Sequence, residues 1–215
     1  MNLKENDDNF LHLTARFTQA VEYARTLHIE PRKGTEIPYM AHLLGVASMV
    51  MGEAGYVEFP ITEDMILAAL LHDAVEDHGG SPRLKHIEVN FGSKVAEVVA
   101  ALSDSFAENS HEKDPWDIRK KAYVEKLSNE SPEVLLISAA DKLYNARAIL
   151  SDYRLLGPEL WRRFKRGCKD QLWYFDALIA AYRSKGTNRI VEELAQVIDE
   201  LRSETERELS LSESG

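Results

Sequence analysis

Thr62-Glu63-Asp64-Met65-Ile66-Leu67-Ala68-Ala69-Leu70-Leu71-His72-Asp73-Ala74-Val75-Glu76-Asp77 starts as an apolar helix and ends in a cluster of proton- and metal-active side chains. Thr62 is a helix N-cap, and Glu63 and Asp64 sit in the first turn, where acids complement the helix dipole. Met65–Leu71 is strongly apolar but far short of the ~20 residues that cross a bilayer. The pattern predicts a helix over 65–76 that Gly79-Gly80 ends. His72 and Glu76 are four apart, as are Asp73 and Asp77, which places the two pairs on neighbouring strips of one helix surface. Such groups are costly to bury without a partner, so their convergence marks a candidate site. A His-Asp dipeptide alone means little, and the rest of the chain has to give it meaning.

Outward from this stretch, the chain reads as helices. Phe10, Leu13, Phe17, Ala20, Val21, Ala24 and Leu27 recur at three- and four-residue steps, predicting a helix over 10–27 that Pro31 stops. A polar loop over 32–37 leads to Pro38, which opens a helix to about residue 51. Ser81-Pro82 starts a short helix, and Ser93 caps another that runs to about residue 103. Residues 104–114 form a polar stretch without period, a candidate lid or mobile loop. Segments 115–127, 132–155, 158–183 and 187–208 complete the helical reading, and no run alternates as a strand does. The expected fold is all-α, a single stack of about eight to ten helices. It occupies residues 1–202, and the Ser- and Glu-rich segment 203–215 reads as a frayed, disordered tail.

Charge and composition narrow the function. The 215 residues carry 26 Lys and Arg against 36 Asp and Glu, a net charge of −10. Nucleic acids and anionic membranes are held by excess cations, so neither is the expected partner. Cys168 is the only cysteine, which rules out an intrachain disulfide and fits a reducing cytoplasm. MNLKENDDNF lacks the apolar core of a signal peptide.

Two more ionisable residues stand in apolar surroundings. His42 shares a helix face with Val46 and Met49, where a lone histidine reads as a hydrogen-bonded core residue. Asp141 follows the apolar run 134–140, where the plain reading is a buried carboxylate paired with a cation. Together, His42, His72, Asp73 and Asp141 supply two imidazoles and two carboxylates, a set suited to Mn²⁺, Fe²⁺ or Zn²⁺ more than to Ca²⁺.

His42, then His72-Asp73, then Asp141, in that order, resemble the H…HD…D signature of HD-domain metal-dependent phosphohydrolases. More narrowly, four segments resemble the hydrolase domain of RelA/SpoT homologues in its free-standing small alarmone hydrolase form. They are RKGTEIPYMAH (32–42), AALLHDAVED (68–77), Phe91-Gly92 and ADKLYNAR (140–147). The resemblance spans about residues 10–200 and implies an all-helical stack, Mn²⁺ as the usual metal, and removal of the 3′-pyrophosphate from guanosine tetra- or pentaphosphate. It implies His42, His72, Asp73 and Asp141 as metal ligands and Glu76 and Asp77 as the catalytic acids. Arg32 would pack against the base, beside Lys33, and Asn145 would help hold the nucleotide. Arg147 falls at a basic position of the motif, and Lys142 is placed to offset substrate charge.

Tyr144 and Ala148 depart from the usual His and Thr of the long bifunctional enzymes, near the expected nucleotide pocket. Another nucleotide stays open as substrate: an adenosine 3′-pyrophosphate, a nucleoside monophosphate or NADPH. So do a non-catalytic binding module and a homodimeric assembly. Arg119-Lys120-Lys121 reads as a solvated helix face, and Trp116, Trp161, Trp173, Tyr174 and Phe175 as core or subunit-contact residues.

Overall fold

In a computed structural model describing residues 10–212, Met65–Leu71 is buried along its whole length. A helix apolar on every side must be wrapped by others. Among the described residues there are ten α-helices and no strand. They are α1 (Ala15–Leu27), α2 (Tyr39–Met51), α3 (Glu63–Leu71), α4 (Ala74–Asp77), α5 (Gly80–Phe91), α6 (Ser93–Leu102), α7 (Trp116–Leu127), α8 (Pro132–Leu156), α9 (Gly167–Arg183) and α10 (Arg189–Ser212). Helix α3 packs against α1, α2 and α6, while the long α8 packs against α2 and α10.

The differences from the sequence reading have local causes. Helix α1 starts at Ala15 because Thr14 caps it, its side chain accepting from the Arg16 amide, while the Glu63 carboxylate accepts from the Thr14 amide at 2.6 Å. Phe10 and Leu13 are left exposed ahead of that cap. The predicted continuous helix over 65–76 breaks at His72-Asp73 into α3 and α4. The His72 ring donates back to the Ala69 carbonyl at 2.8 Å, and the Asp77 amide donates to the Asp73 carbonyl at 3.0 Å. The chain therefore still turns once there, and the acidic pair stays near the His-Asp pair.

The predicted helix over 158–183 divides into a 3-10 helix, Gly157–Arg163, and α9. Helix α10 continues to Ser212 through the segment read as a frayed tail; Leu201 and Thr205 remain buried, and Arg154 pairs with Glu200 and Glu204. Residues 213–215 lie outside the described part. No helix among the described residues is long and apolar enough to cross a membrane.

Candidate active site

Three elements bring the four proposed ligands together: α2 carries His42, the α3–α4 turn carries His72 and Asp73, and α8 carries Asp141. His42 Nε2 lies 3.2 Å from His72 Nε2 and 3.3 Å from both Asp73 Oδ2 and Asp141 Oδ1. His72 Nε2 is 3.1 Å from Asp73 Oδ2 and 3.6 Å from Asp141 Oδ1. Because the Ala69 carbonyl can only accept, His72 Nδ1 carries a proton and Nε2 is the atom turned to the cluster, where Asp73 and Asp141 raise the imidazole's pKa well above its ordinary value against its burial. His42 Nδ1 is buried without a partner, so its ring addresses the cluster through Nε2. Lone pairs crowded at such distances need positive charge between them. His42, His72 and Asp73 form a group able to hold a metal ion, and Asp141 Oδ1 lies against it.

Burial alone would raise the carboxyls of Asp73 and Asp141, yet both are held well below the usual carboxylate range. His72 and His42 do this for Asp73; Lys142, with Nζ 2.5 Å from Oδ2, leads it for Asp141. Burial and the neighbouring Asp73 and Asp77 push the Tyr39 hydroxyl far up, so it stays a donor, 2.7 Å from Asp73 Oδ2 and 3.4 Å from Asp77 Oδ2.

Glu76 and Asp77 lie beside this cluster with raised pKa values. Desolvation leads in both. For Asp77, the charges of Asp73 and Glu76 add to it, and the carboxyl reaches about 7. Lys113 Nζ stands 3.5 Å from Glu76 and 3.7 Å from Asp77. Lys113 belongs to the 104–114 stretch, which folds against α5: the Ser81 amide donates to the Phe106 carbonyl at 3.3 Å.

A cavity of about 380 Å³ lies between α8, α9 and the 32–37 loop, and its wall includes Arg32, Lys33, Lys120, Lys142, Asn145 and Arg163. It adjoins a smaller cleft lined by His72, Asp73, Glu76 and Asp141, and Lys120, Lys142 and Tyr174 border both. Arg32 donates to Asn145 Oδ1 at 2.6 Å, and the Asn145 amide donates to Asp141 Oδ1 at 2.6 Å. The Arg32 guanidinium also lies 5.1 Å from the centre of the Tyr144 ring, which in turn meets His42 edge-on. Bonds from the Arg32 amide to the Ile37 carbonyl and from the Thr35 amide to the Arg32 carbonyl close the loop that holds Arg32.

Arg147 is not brought in. It lies on the α8 face toward α10 and pairs with Glu193. The reading of Arg119-Lys120-Lys121 as a solvated face holds only for Lys121. Arg119 and Lys120 are mostly buried and pair with Asp104, and Arg119 also reaches Glu76 at 3.3 Å. Trp116, Tyr174 and Phe175 line the cavity as well as the core. Tyr39, Lys113 and Lys120 are site residues the sequence reading missed; only the acids of neighbouring elements give them away.

The HD domain family model matches residues 20–163. The chain is 32% identical over 183 residues to the human guanosine-3′,5′-bis(diphosphate) 3′-pyrophosphohydrolase MESH1, covering 83% of this chain and 90% of that one. Against the Drosophila melanogaster MESH1 it is 32% identical over 155 residues, covering 71% and 78%. A solved structure described as a metazoan ortholog of SpoT that hydrolyses ppGpp superposes with a TM-score of 0.67 at 26% identity, covering 88% of this chain and 97% of that one. A Listeria monocytogenes structure, lmo0812, superposes with a TM-score of 0.60 at 28% identity, covering 78% and 99%. The chain belongs to the HD-domain family, in the group that includes the MESH1 pyrophosphohydrolases.

Proposed function

We propose that the chain is a metal-dependent pyrophosphohydrolase that removes the 3′-pyrophosphate from guanosine tetra- and pentaphosphate, leaving GDP or GTP. The observation that carries this reading is a nucleotide-sized cavity, rimmed by cations in a chain of net charge −10, that opens onto the His-Asp cluster. Its similarity to the MESH1 enzymes supports the same substrate class.

His42, His72, Asp73 and Asp141 would hold one divalent ion, proposed as Mn²⁺, with Fe²⁺ or Zn²⁺ compatible with the same donors. When bound, that ion supplies Lewis acidity, polarising a phosphate oxygen and making water easier to deprotonate. The protein's own groups do the rest. Asp77, with a pKa near neutrality, or Glu76 beside it takes the proton from the attacking water. Tyr39 orients Asp73 and Asp77 through its hydroxyl. Attack at the phosphorus joined to the 3′ oxygen breaks that P–O bond, the ribose oxygen takes up a proton, and pyrophosphate leaves.

Lys120 and Lys142, on the wall shared by both cavities, meet the phosphates, and the flat Arg32 guanidinium, with Lys33 at its side, faces the base. Asn145 fixes Arg32 relative to Asp141. Arg147 has no part in this. The lone Cys168 fits work in a reducing cytoplasm.

Purified chain with Mn²⁺ would be given guanosine and adenosine 3′-pyrophosphates, nucleoside monophosphates and NADPH, and the products separated. Pyrophosphate release favouring the guanosine substrates is expected. Orthophosphate from the monophosphates or NADPH in its place would assign the chain to another phosphohydrolase activity.

A further inference from the structure

His28, Glu30 and His78 form a second cluster outside the site described above. His28 is the C-cap of α1, Glu30 lies in the loop that follows, and His78 is the C-cap of α4. His78 Nε2 is 3.1 Å from His28 Nδ1, His28 Nδ1 is 3.3 Å from Glu30 Oε1, and His78 Nε2 is 3.4 Å from the same oxygen. All three ligand atoms fall within the reach of one ion.

Hydrogen bonding alone does not account for this triangle. A neutral imidazole has one N–H, so His28 Nδ1 and His78 Nε2 can share one proton between them, or each can donate to Glu30. In the first case only one nitrogen has a proton to share among two acceptors; in the second, two N–H groups face each other at 3.1 Å. No proton arrangement satisfies all three contacts, whereas a central cation does. The size also fits: bonds of about 2.0–2.1 Å to zinc in a tetrahedron separate the ligand atoms by about 3.3 Å. His28 is 3% exposed, whereas the side chains of His78 and Glu30 are 25% and 42% exposed, which leaves the fourth position open to water and gives the ion a route in.

We propose that His28, Glu30 and His78 form a second cation site of the zinc class, separate from the His42–His72–Asp73–Asp141 cluster. Its occupant ties the ends of α1 and α4 to the loop leading to Arg32. The His28 ring stacks on Tyr39, with centroids 4.7 Å apart, so the clamp also bears on the residue whose hydroxyl holds Asp73 and Asp77.

The test is cation stoichiometry on the full chain, stripped with chelator and re-equilibrated with Zn²⁺, or with Co²⁺ as a coloured probe. The wild type should bind two ions per chain. His78→Ala and Glu30→Gln, both at partly exposed positions, should each lower this to one, with loss of the tetrahedral Co²⁺ absorption. His72→Ala should also lower it to one but keep that absorption. This pattern separates the second site from failure of the first. One ion per chain in the wild type, or two retained in both His78→Ala and Glu30→Gln, overturns the proposal.

Discussion

Asp141 and Arg147 share one helix, yet only Asp141 reaches the site, and helical geometry says why. At about 100° per residue, Asn145 is rotated about 40° from Asp141 and Arg147 about 240°, so the first shares its face and the second does not. Arg32→Ala should therefore raise KM at least tenfold by removing a base contact, while Arg147→Ala should leave KM within about twofold. Steady-state kinetics on the two variants checks this. Glu76→Gln and Asp77→Asn should lower kcat by roughly 10²–10⁴-fold while Mn²⁺ content stays at the wild-type level. Full activity in both variants would remove the acidic pair from the mechanism.

Asp104 is a second residue whose role can be read in solution. Burial alone would raise its carboxyl, but Lys120 and Arg119 override this and hold it at about 2, against an ordinary value of 3.8. Its stabilising contribution is therefore full above pH 3.8 and fades as the pH falls toward about 2. Asp104→Asn should cost about 2 kcal/mol at pH 7 and flatten this acid limb, as read by urea unfolding across pH.

Among the elements, α2 and α8 meet where Gly45 faces Tyr144. A Cβ on Gly45 would lie 2.2 Å from Tyr144 Cε2, so the ring must move for any larger residue to fit. Tyr144 supports both the His42 ring and the Arg32 guanidinium. Gly45→Ala should thus destabilise the chain by about 1–3 kcal/mol and raise KM through a displaced Arg32. Thermal unfolding and kinetics together separate these effects. Unchanged KM with lowered stability would confine Gly45 to packing.

The same helices show what can be read from sequence. Taken singly, His42 read as a core histidine and Asp141 as a buried, paired carboxylate; only their combination with His72-Asp73, and the order in which the four occur, marked them as candidate ligands. The break between α3 and α4 was not, because a side-chain bond from His72 to the Ala69 carbonyl sets it rather than a Gly or Pro. Lys120 escaped for a similar reason: in the α7 pattern it looks like a solvated cation, and only the approach of Asp104 turns it inward.

Over the whole molecule, the fold is a scaffold that gathers four donors from three elements around a buried α3. The apolar period announced the helices, but the cavity depends on how α8 and α9 meet the 32–37 loop, which no local pattern encodes. Arg32, Lys33, Lys120, Lys142 and Arg163 line that cavity in an otherwise acidic chain, so kcat/KM for a polyanionic substrate should fall as salt screens their field.

On the proposed mechanism, pyrophosphate release requires one ion held by His42, His72, Asp73 and Asp141. Pyrophosphate release from guanosine tetraphosphate should be titrated with Mn²⁺ in chelator-treated wild type and in His72→Ala. No release is expected before Mn²⁺ is added, with recovery in the wild type and none in the variant. Wild-type turnover by His72→Ala, or by the stripped protein, would contradict it.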